Sequence, residues 1–267
     1  MQIEGSRILV TGASSGIGAA LAQLLAARGA TVGLIARRED RLQTVLAACR
    51  DRAPDSPSWA VDLGDLERAE QVAREAWDTF GAVDCLVNNA GIPKRTPVPR
   101  LTPSDIAHVM DVNFHAPVRM TLAILPRWLE RGAGSVVNVS SLGGRLPIAH
   151  EAAYCASKFA LCGWSEAMAV DLHGTGVEVK LMLPGPIDTE IWDQPDNDPA
   201  AFAGPFVPAV DCAAAILAGM EGEGFEYYVP AEFPGGFGTQ HDMVVNKTAD
   251  TDAFVSMMGA LEQSSRG

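Results

Sequence analysis

The sequence has no long apolar run, no surplus of positive charge and no paired cysteines, and each absence removes a class of function. No apolar stretch approaches the ~20 residues that a membrane-crossing helix needs. The opening segment, Met1 to Arg7, lacks the apolar stretch of a secretory signal and leads straight into a strand pattern, so a cytoplasmic protein is expected. Basic residues number 20 against 33 acidic ones, a formal charge of −13. Such a surface repels phosphate backbones and anionic lipid, so neither nucleic acid nor membrane is expected as a partner. The five cysteines (Cys49, Cys85, Cys155, Cys162, Cys212) are odd in number and none forms a Cys-x-x-Cys pair. Most lie in apolar patterns and read as reduced, buried thiols; no metal-ligand spacing is found, and no metal is expected.

What is present is alternation. Strand-like runs fall at Arg7 to Thr11, Thr31 to Ala36, Trp59 to Val61, Val83 to Asn88, Gly134 to Ser140, Val177 to Leu183 and Tyr227 to Val229. Helical spacing covers Gly18 to Arg28, Glu39 to Arg50, Leu66 to Phe80, Pro103 to Arg131, Glu151 to His173 and Val210 to Met220. Pro117 marks a bend in the fourth of these. Repeated β-α-β alternation with right-handed crossovers gives a parallel sheet covered by helices on both faces. With 267 residues, 48% of them hydrophobic, and no linker or repeat, a single domain over 1–267 is expected. Its last part, 190–267, loosens into a substrate lid and a C-terminal segment, and the tail from Glu232 onward carries no assignable pattern.

Two motifs carry chemistry. Gly12-Ala-Ser-Ser-Gly16-Ile-Gly18 joins the first strand to the first helix. Glycines there allow a tight turn and let the backbone approach a pyrophosphate at the positive helix N-terminus. The spacing is Gly-x-x-x-Gly-x-Gly rather than the Gly-x-Gly-x-x-Gly fingerprint. Further on, Tyr154 and Lys158 stand four apart on a helix, with Ser141 upstream. They project from one face. An ammonium beside a phenol favours the phenolate, so the Tyr154 pKa is expected to fall. Moving it from ~10 to about 7 takes roughly 4 kcal/mol. The outcome is a general acid/base for an alcohol oxygen.

With these residues the chain resembles the short-chain dehydrogenase/reductase family. Thr11-Gly-Ala-Ser-Ser-Gly-Ile-Gly18 is followed in order by Asp62-Leu63, Asn88-Asn-Ala-Gly91, Asn113, Val137-Asn-Val-Ser-Ser141, Tyr154-x-x-x-Lys158 and Pro184-Gly-Pro-Ile-Asp-Thr189. The resemblance covers about residues 5 to 190. It implies a Rossmann-type doubly wound parallel sheet of about seven strands. It also implies a catalytic tetrad of Asn113, Ser141, Tyr154 and Lys158. In that reading Tyr154 moves the proton, Ser141 holds the substrate oxygen, Lys158 tunes Tyr154 and binds the nicotinamide ribose, and Asn113 supports a proton relay. Ser141 is preferred to Ser140 because it matches the family's spacing to Tyr154. Ser140 then points to the opposite side of the strand.

The resemblance further implies cofactor contacts from Gly12, Ser14, Ser15, Gly16, Ile17 and Gly18, from Asp62 and Leu63, and from Asn89, Ala90 and Gly91. Pro184, Gly185, Ile187 and Thr189 belong to the nicotinamide side. Asp62 also fits as N-cap of the helix beginning near Leu66. The second strand ends at Ala36, where an acid would select NAD, and Arg37 and Arg38 follow. Guanidinium matches a phosphate fork, so NADP(H) is preferred, with NAD(H) the alternative. For substrate, Leu142, His150 and Trp192 are candidates, with Phe202 and Phe206 in an apolar lid. A medium-sized apolar ketone or secondary alcohol is expected. A homodimer or homotetramer is expected through the two long helices, where Phe159, Leu161, Trp164 and Met168 fit either a helix-pair interface or packing on the sheet. The alternative to an oxidoreductase is a dinucleotide-sensing regulator without turnover.

Overall fold

Seven strands form one all-parallel sheet in the order β3-β2-β1-β4-β5-β6-β9. They are β1 (Arg7–Thr11), β2 (Thr31–Ala36), β3 (Ser58–Ala60), β4 (Cys85–Asn88), β5 (Gly134–Val139), β6 (Val177–Pro184) and β9 (Glu226–Val229). Two-residue strands β7 (Ile187–Asp188) and β8 (Val207–Pro208) make a small separate ladder. The computed structural model describes residues 1–200, 202, 204–236 and 238–264, without the side chains of 261, 262 and 264.

The strands read as continuous apolar runs because both faces of the sheet are covered. Ile8 and Val10 pack on one side with Leu21 and Leu25 of α1 (Gly16–Ala27), Leu42 of α2 (Glu39–Arg50) and Ile216 of α7 (Ala209–Glu221). Leu9, between them, packs on the other side with Val72 of α3 (Leu66–Phe80), Ile124 of α5 (Ala116–Arg131) and Met168 of α6 (Ala152–Asp171). This is the doubly wound arrangement, and all seven strand runs of the sequence appear in it. The chain crosses from the β3 edge back over to β4, so the connections leaving the C-terminal ends of β1 and β4 run in opposite directions. Such a switch point is where open α/β sheets bind ligands.

Several expectations are corrected. Pro103 to Arg131 is not one helix bent at Pro117. It is α4 (Pro103–Met110), a π turn (Asp111–His115) and α5, with Pro117 in the first turn of α5. The interruption is centred on Asn113. Leu161 and Met168 are buried, Met168 in the core beneath the sheet, whereas Phe159 is exposed. The tail holds two helices, α8 (Gln240–Ala249) and α9 (Thr251–Ser264). Among the described residues no helix is long and apolar enough to cross a membrane. All five cysteines are buried and unpaired.

Candidate active site

The glycine turn leaves β1 with Gly12 at φ +68° and Gly16 at φ +53°, a region in which L side chains are strained. A Cβ on Gly12 would lie 2.9 Å from the Ala90 Cα, and one on Gly16 would lie 2.9 Å from the Thr189 methyl. Gly18 would drive a Cβ into the Gly12 carbonyl and the Asn89 amide. The turn is therefore a tight backbone cradle with no room for a side chain at its three glycine positions. Thr11 ties it to β4: its Oγ1 accepts from the Asn89 and Ala90 N–H groups at 2.9 and 3.0 Å. Asn89 Nδ2 donates to the Thr11 carbonyl at 2.9 Å. Ser15 is the N-cap of α1, yet its hydroxyl makes no cap bond. The first helical N–H groups stay available, the arrangement that suits an anion.

From this cradle a cleft of about 240 Å³ runs along the C-terminal edge of the sheet. Ser14, Ser15 and Ile17 line it with the three glycines; Arg37, Arg38, Asp62 and Leu63 form one end; Asn89, Ala90, Gly91 and Thr189 form the rest. Ile92, Pro93, Val112, Glu190, Ile191 and Gln194 line it too, and of these Val112 lies in no segment that the sequence suggested for the site. Pro184, Gly185 and Ile187 lie outside its lining, as do Ser141, Leu142, His150, Tyr154, Lys158 and Trp192. Asp62 is not the N-cap of α3. Asp65 is, accepting from the Arg68 N–H, while Asp62 Oδ1 accepts from Gly64 N–H at 2.9 Å. Arg37 faces Asp62 at 3.9 Å. Arg38 donates to the Ser15 hydroxyl and to Glu190, both at 2.7 Å, and Arg41 pairs with the same glutamate. The two arginines hold the Glu190 carboxyl below its usual range.

The four residues of the expected tetrad come from three elements, with Tyr154 and Lys158 both on α6. Asn113, on the π turn, is fully buried. Its Oδ1 accepts from Ile92 N–H at 2.8 Å, and its Nδ2 donates to the Ile92 carbonyl and to Ser157 Oγ, both at 3.0 Å. Lys158 Nζ, on α6, donates to the Val139 carbonyl at the end of β5 at 3.0 Å. A Cβ on Gly91 would lie 3.4 Å from that Nζ and 3.5 Å from Asn113 Oδ1, so the two groups converge on Gly91 at the cleft edge. Ser141 caps a short turn and accepts from Gly143 N–H at 3.0 Å. A Cβ on Gly143 would touch Tyr154 Cε1 at 3.3 Å and Ser141 Oγ at 3.5 Å, so glycine lets serine and tyrosine meet. Ser140 does turn away: its hydroxyl donates to the Lys158 carbonyl.

Electrostatics here depart from the simple pair argument. Burial pushes the Tyr154 phenol above its ordinary value; Ser141 pulls it back and Glu151 pushes it further up. Burial draws the Lys158 ammonium down to about 8. The expected fall at Tyr154 does not occur in this state. The ammonium lies over the ring, 5.8 Å from its centroid, and is engaged by Val139, so its field at the oxygen does not offset desolvation. Glu151, at the α6 N-cap, is itself buried and raised to about 7, mainly by desolvation.

The substrate candidates divide. Leu142 is buried and begins the turn beside Ser141. His150 takes a left-handed backbone, φ +65°, and its carbonyl accepts from Thr96 N–H. Trp192 joins an aromatic group with Phe206, Phe202 and Phe233. Buried Arg95 holds this segment by donating to the carbonyls of Ile191, Trp192 and Asp198. Nothing local in the sequence signals a bond across that many residues.

A glycine cradle at the sheet's switch point, edged by Asn113 and Lys158 converging on Gly91, has counterparts. A family model for short chain dehydrogenases matches residues 6–200. The chain belongs to the short-chain dehydrogenase family. It is 37% identical over 193 residues to a short chain dehydrogenase of Pseudocercospora fijiensis, covering 71% of this chain and 62% of the relative. The chain thus spans less than two thirds of that relative's length. A 3-oxoacyl-[acyl-carrier-protein] reductase of Vibrio cholerae is 35% identical over 72% of this chain and 77% of its own. A short chain dehydrogenase from Burkholderia cenocepacia, solved in complex with NADP, superposes with a TM-score of 0.78 at 30% identity, covering 97% of this chain and 99% of its own. Membership accounts for the order of the motifs along the chain.

Proposed function

We propose that this short-chain dehydrogenase is an NADP(H)-dependent oxidoreductase that interconverts a ketone or aldehyde with an alcohol, using Tyr154 as general acid/base. The convergence of Asn113 and Lys158 on Gly91, at the edge of the glycine-cradled cleft, carries the reading. The residues fit a dinucleotide. The three glycines let the turn pack closely on Ala90, Asn89 and Thr189, and the uncapped α1 N-terminus beside it suits a pyrophosphate. Ala36 in place of an acid, with Arg37 and Arg38 beside it in the cleft, favours a 2′-phosphate over a free ribose hydroxyl. The NADP complex of the Burkholderia relative supports the same choice.

The bound cofactor supplies hydride chemistry at the nicotinamide C4. The chain's own groups manage the proton. In reduction the Tyr154 hydroxyl donates its proton to the substrate oxygen while Ser141 hydrogen-bonds that oxygen. Its raised pKa keeps the phenol protonated beforehand. Lys158 stabilises the phenolate left behind and holds the nicotinamide ribose. Asn113 fixes Ile92 and Ser157 around it and carries the relay onward. In oxidation each proton step reverses. Asp62, Leu63, Asn89 and Ala90 serve the adenosine side; Pro184, Gly185, Ile187 and Thr189 serve the nicotinamide side. The aromatic group around Trp192 favours a medium-sized apolar substrate. The single domain over 1–267 with 190–267 as lid and tail, the cytoplasmic setting and the homo-oligomer belong to the same proposal.

An NADPH-oxidation screen against ketones and aldehydes tests it. Tyr154→Phe should lower kcat by ~10² to 10⁴-fold while NADPH still binds. Near-wild-type turnover in that variant would sink the mechanism. Bound NADPH with no turnover of any carbonyl by the wild type would favour the dinucleotide-sensing regulator instead.

A further inference from the structure

Glu190 follows Thr189 directly and lies in the cleft lining, on the side opposite the arginines that end β2. Its carboxylate reaches across. One oxygen accepts from Arg38 at 2.7 Å and the other pairs with Arg41. Arg38 uses its second nitrogen on the Ser15 hydroxyl, at the start of the phosphate turn. A carboxylate held by two guanidinium groups beside the α1 N-terminus occupies the same donors that a phosphate dianion takes. The ion pairs are only partly screened, with side-chain exposures of 35% for Arg38 and 44% for Glu190. Glu190 also opens a short turn, Glu190–Asp193, which Gln194 Nε2 closes by donating to the Glu190 carbonyl at 2.8 Å. Arg95 anchors the far side of that turn through Ile191 and Trp192.

We propose that Glu190 is an internal competitor for the cofactor's 2′-phosphate, so that the phosphate displaces it from Arg38 and Arg41 and frees the near end of the 190–194 segment. The inference rests on the NADP reading above and adds two residues to it, Glu190 and Arg41. A ligand lacking the phosphate leaves the bridge in place. Binding of the phosphate exchanges one anion for another on the same cations, which weakens both the gain in affinity and its salt dependence. By linkage the phosphate loosens the segment as much as the segment weakens the phosphate.

The experiment measures NADPH and NADH dissociation constants by nucleotide fluorescence for the wild type and Glu190→Gln, from low to high salt. Removal of a competing ion pair of about 1 kcal/mol should tighten NADPH about 5-fold and leave NADH within about 2-fold. The NADPH salt dependence should steepen in the variant. Amide exchange over 190–194 in the wild type should be faster with 2′,5′-ADP than with 5′-AMP. Unchanged NADPH affinity, an equal weakening of both cofactors, or equal exchange with the two nucleotides would each overturn the proposal. The wild-type NADPH/NADH ratio reads the cofactor assignment separately: a preference for NADH would overturn that assignment, while the change in ratio on Glu190→Gln still decides the role of Glu190.

Discussion

Lys158 is a cation kept where cations are least at ease. It is 4% exposed, makes one bond to the Val139 carbonyl, and has its pKa drawn from 10.5 down to about 8 by burial. Between pH 8 and 10.5 the unfolded chain binds the proton that the folded chain has lost, so stability rises with pH through that window. Below pH 8 both states carry it and the folded state bears the full penalty, about 3 kcal/mol. Lys158→Met should therefore stabilise the cofactor-free protein at pH 7. The net gain is about 2 kcal/mol after the lost Val139 hydrogen bond is counted. Denaturant melts at pH 7 and 10 check this: the advantage should shrink at the higher pH, and a less stable variant at pH 7 would contradict it. Turnover should fall at the same time, since a site residue is kept at the expense of stability.

At the scale of elements, Asn113 shows what a sequence conveys and what it hides. The helical spacing on both sides of it was legible, and the proline at 117 offered a ready explanation for a bend. The break instead follows from a side chain that satisfies both backbone groups of Ile92 and the Ser157 hydroxyl from inside a π turn. Only a partner 21 residues away reveals that need. Asn113→Ala should leave the Ile92 N–H, the Ile92 carbonyl and Ser157 short of a buried partner, a loss of about 2 to 4 kcal/mol by urea unfolding. A loss under about 1 kcal/mol would mean that water replaces the amide. The same distinction runs through the site. The glycine turn, Asn89 to Gly91, Arg37 and the Tyr154–Lys158 turn are local patterns; the cleft contains the first three, and of the last pair Lys158 reaches its edge at Gly91. Glu190, Arg41, Arg95 and Glu151 act through contacts between distant segments or through burial, and neither leaves a periodic trace. The direction of the Tyr154 shift belongs to that second group, because it depends on what surrounds the ring rather than on which residue stands four places on.

At the scale of the whole molecule, the outer faces of α5 and α6 are not those of an isolated surface helix. On α5, Leu122 and Leu129 are 49% and 44% exposed, and Val118 and Leu125 continue their line at spacings of four, three and four. On α6, Phe159, Gly163 and Val170 are exposed along one stripe, and a side chain on Gly163 would meet nothing within 4 Å. A stripe at that spacing suits a helix pair that meets its own copy across a two-fold axis. The charge of −13 on each chain opposes such a meeting, so apolar contact must outweigh repulsion, and salt should help by screening it. Light scattering should give a mass of two or four times 28.2 kDa for the wild type. Leu122→Glu places a charge in a monomer's solvent at a cost within about 0.5 kcal/mol, but in a symmetric interface it buries two like charges against one another. The variant should therefore scatter as a single chain with an unchanged melting curve at low protein concentration, and added salt should restore little. A wild type that is monomeric at micromolar concentration in both low and high salt would show that the stripe has no partner in its own copy.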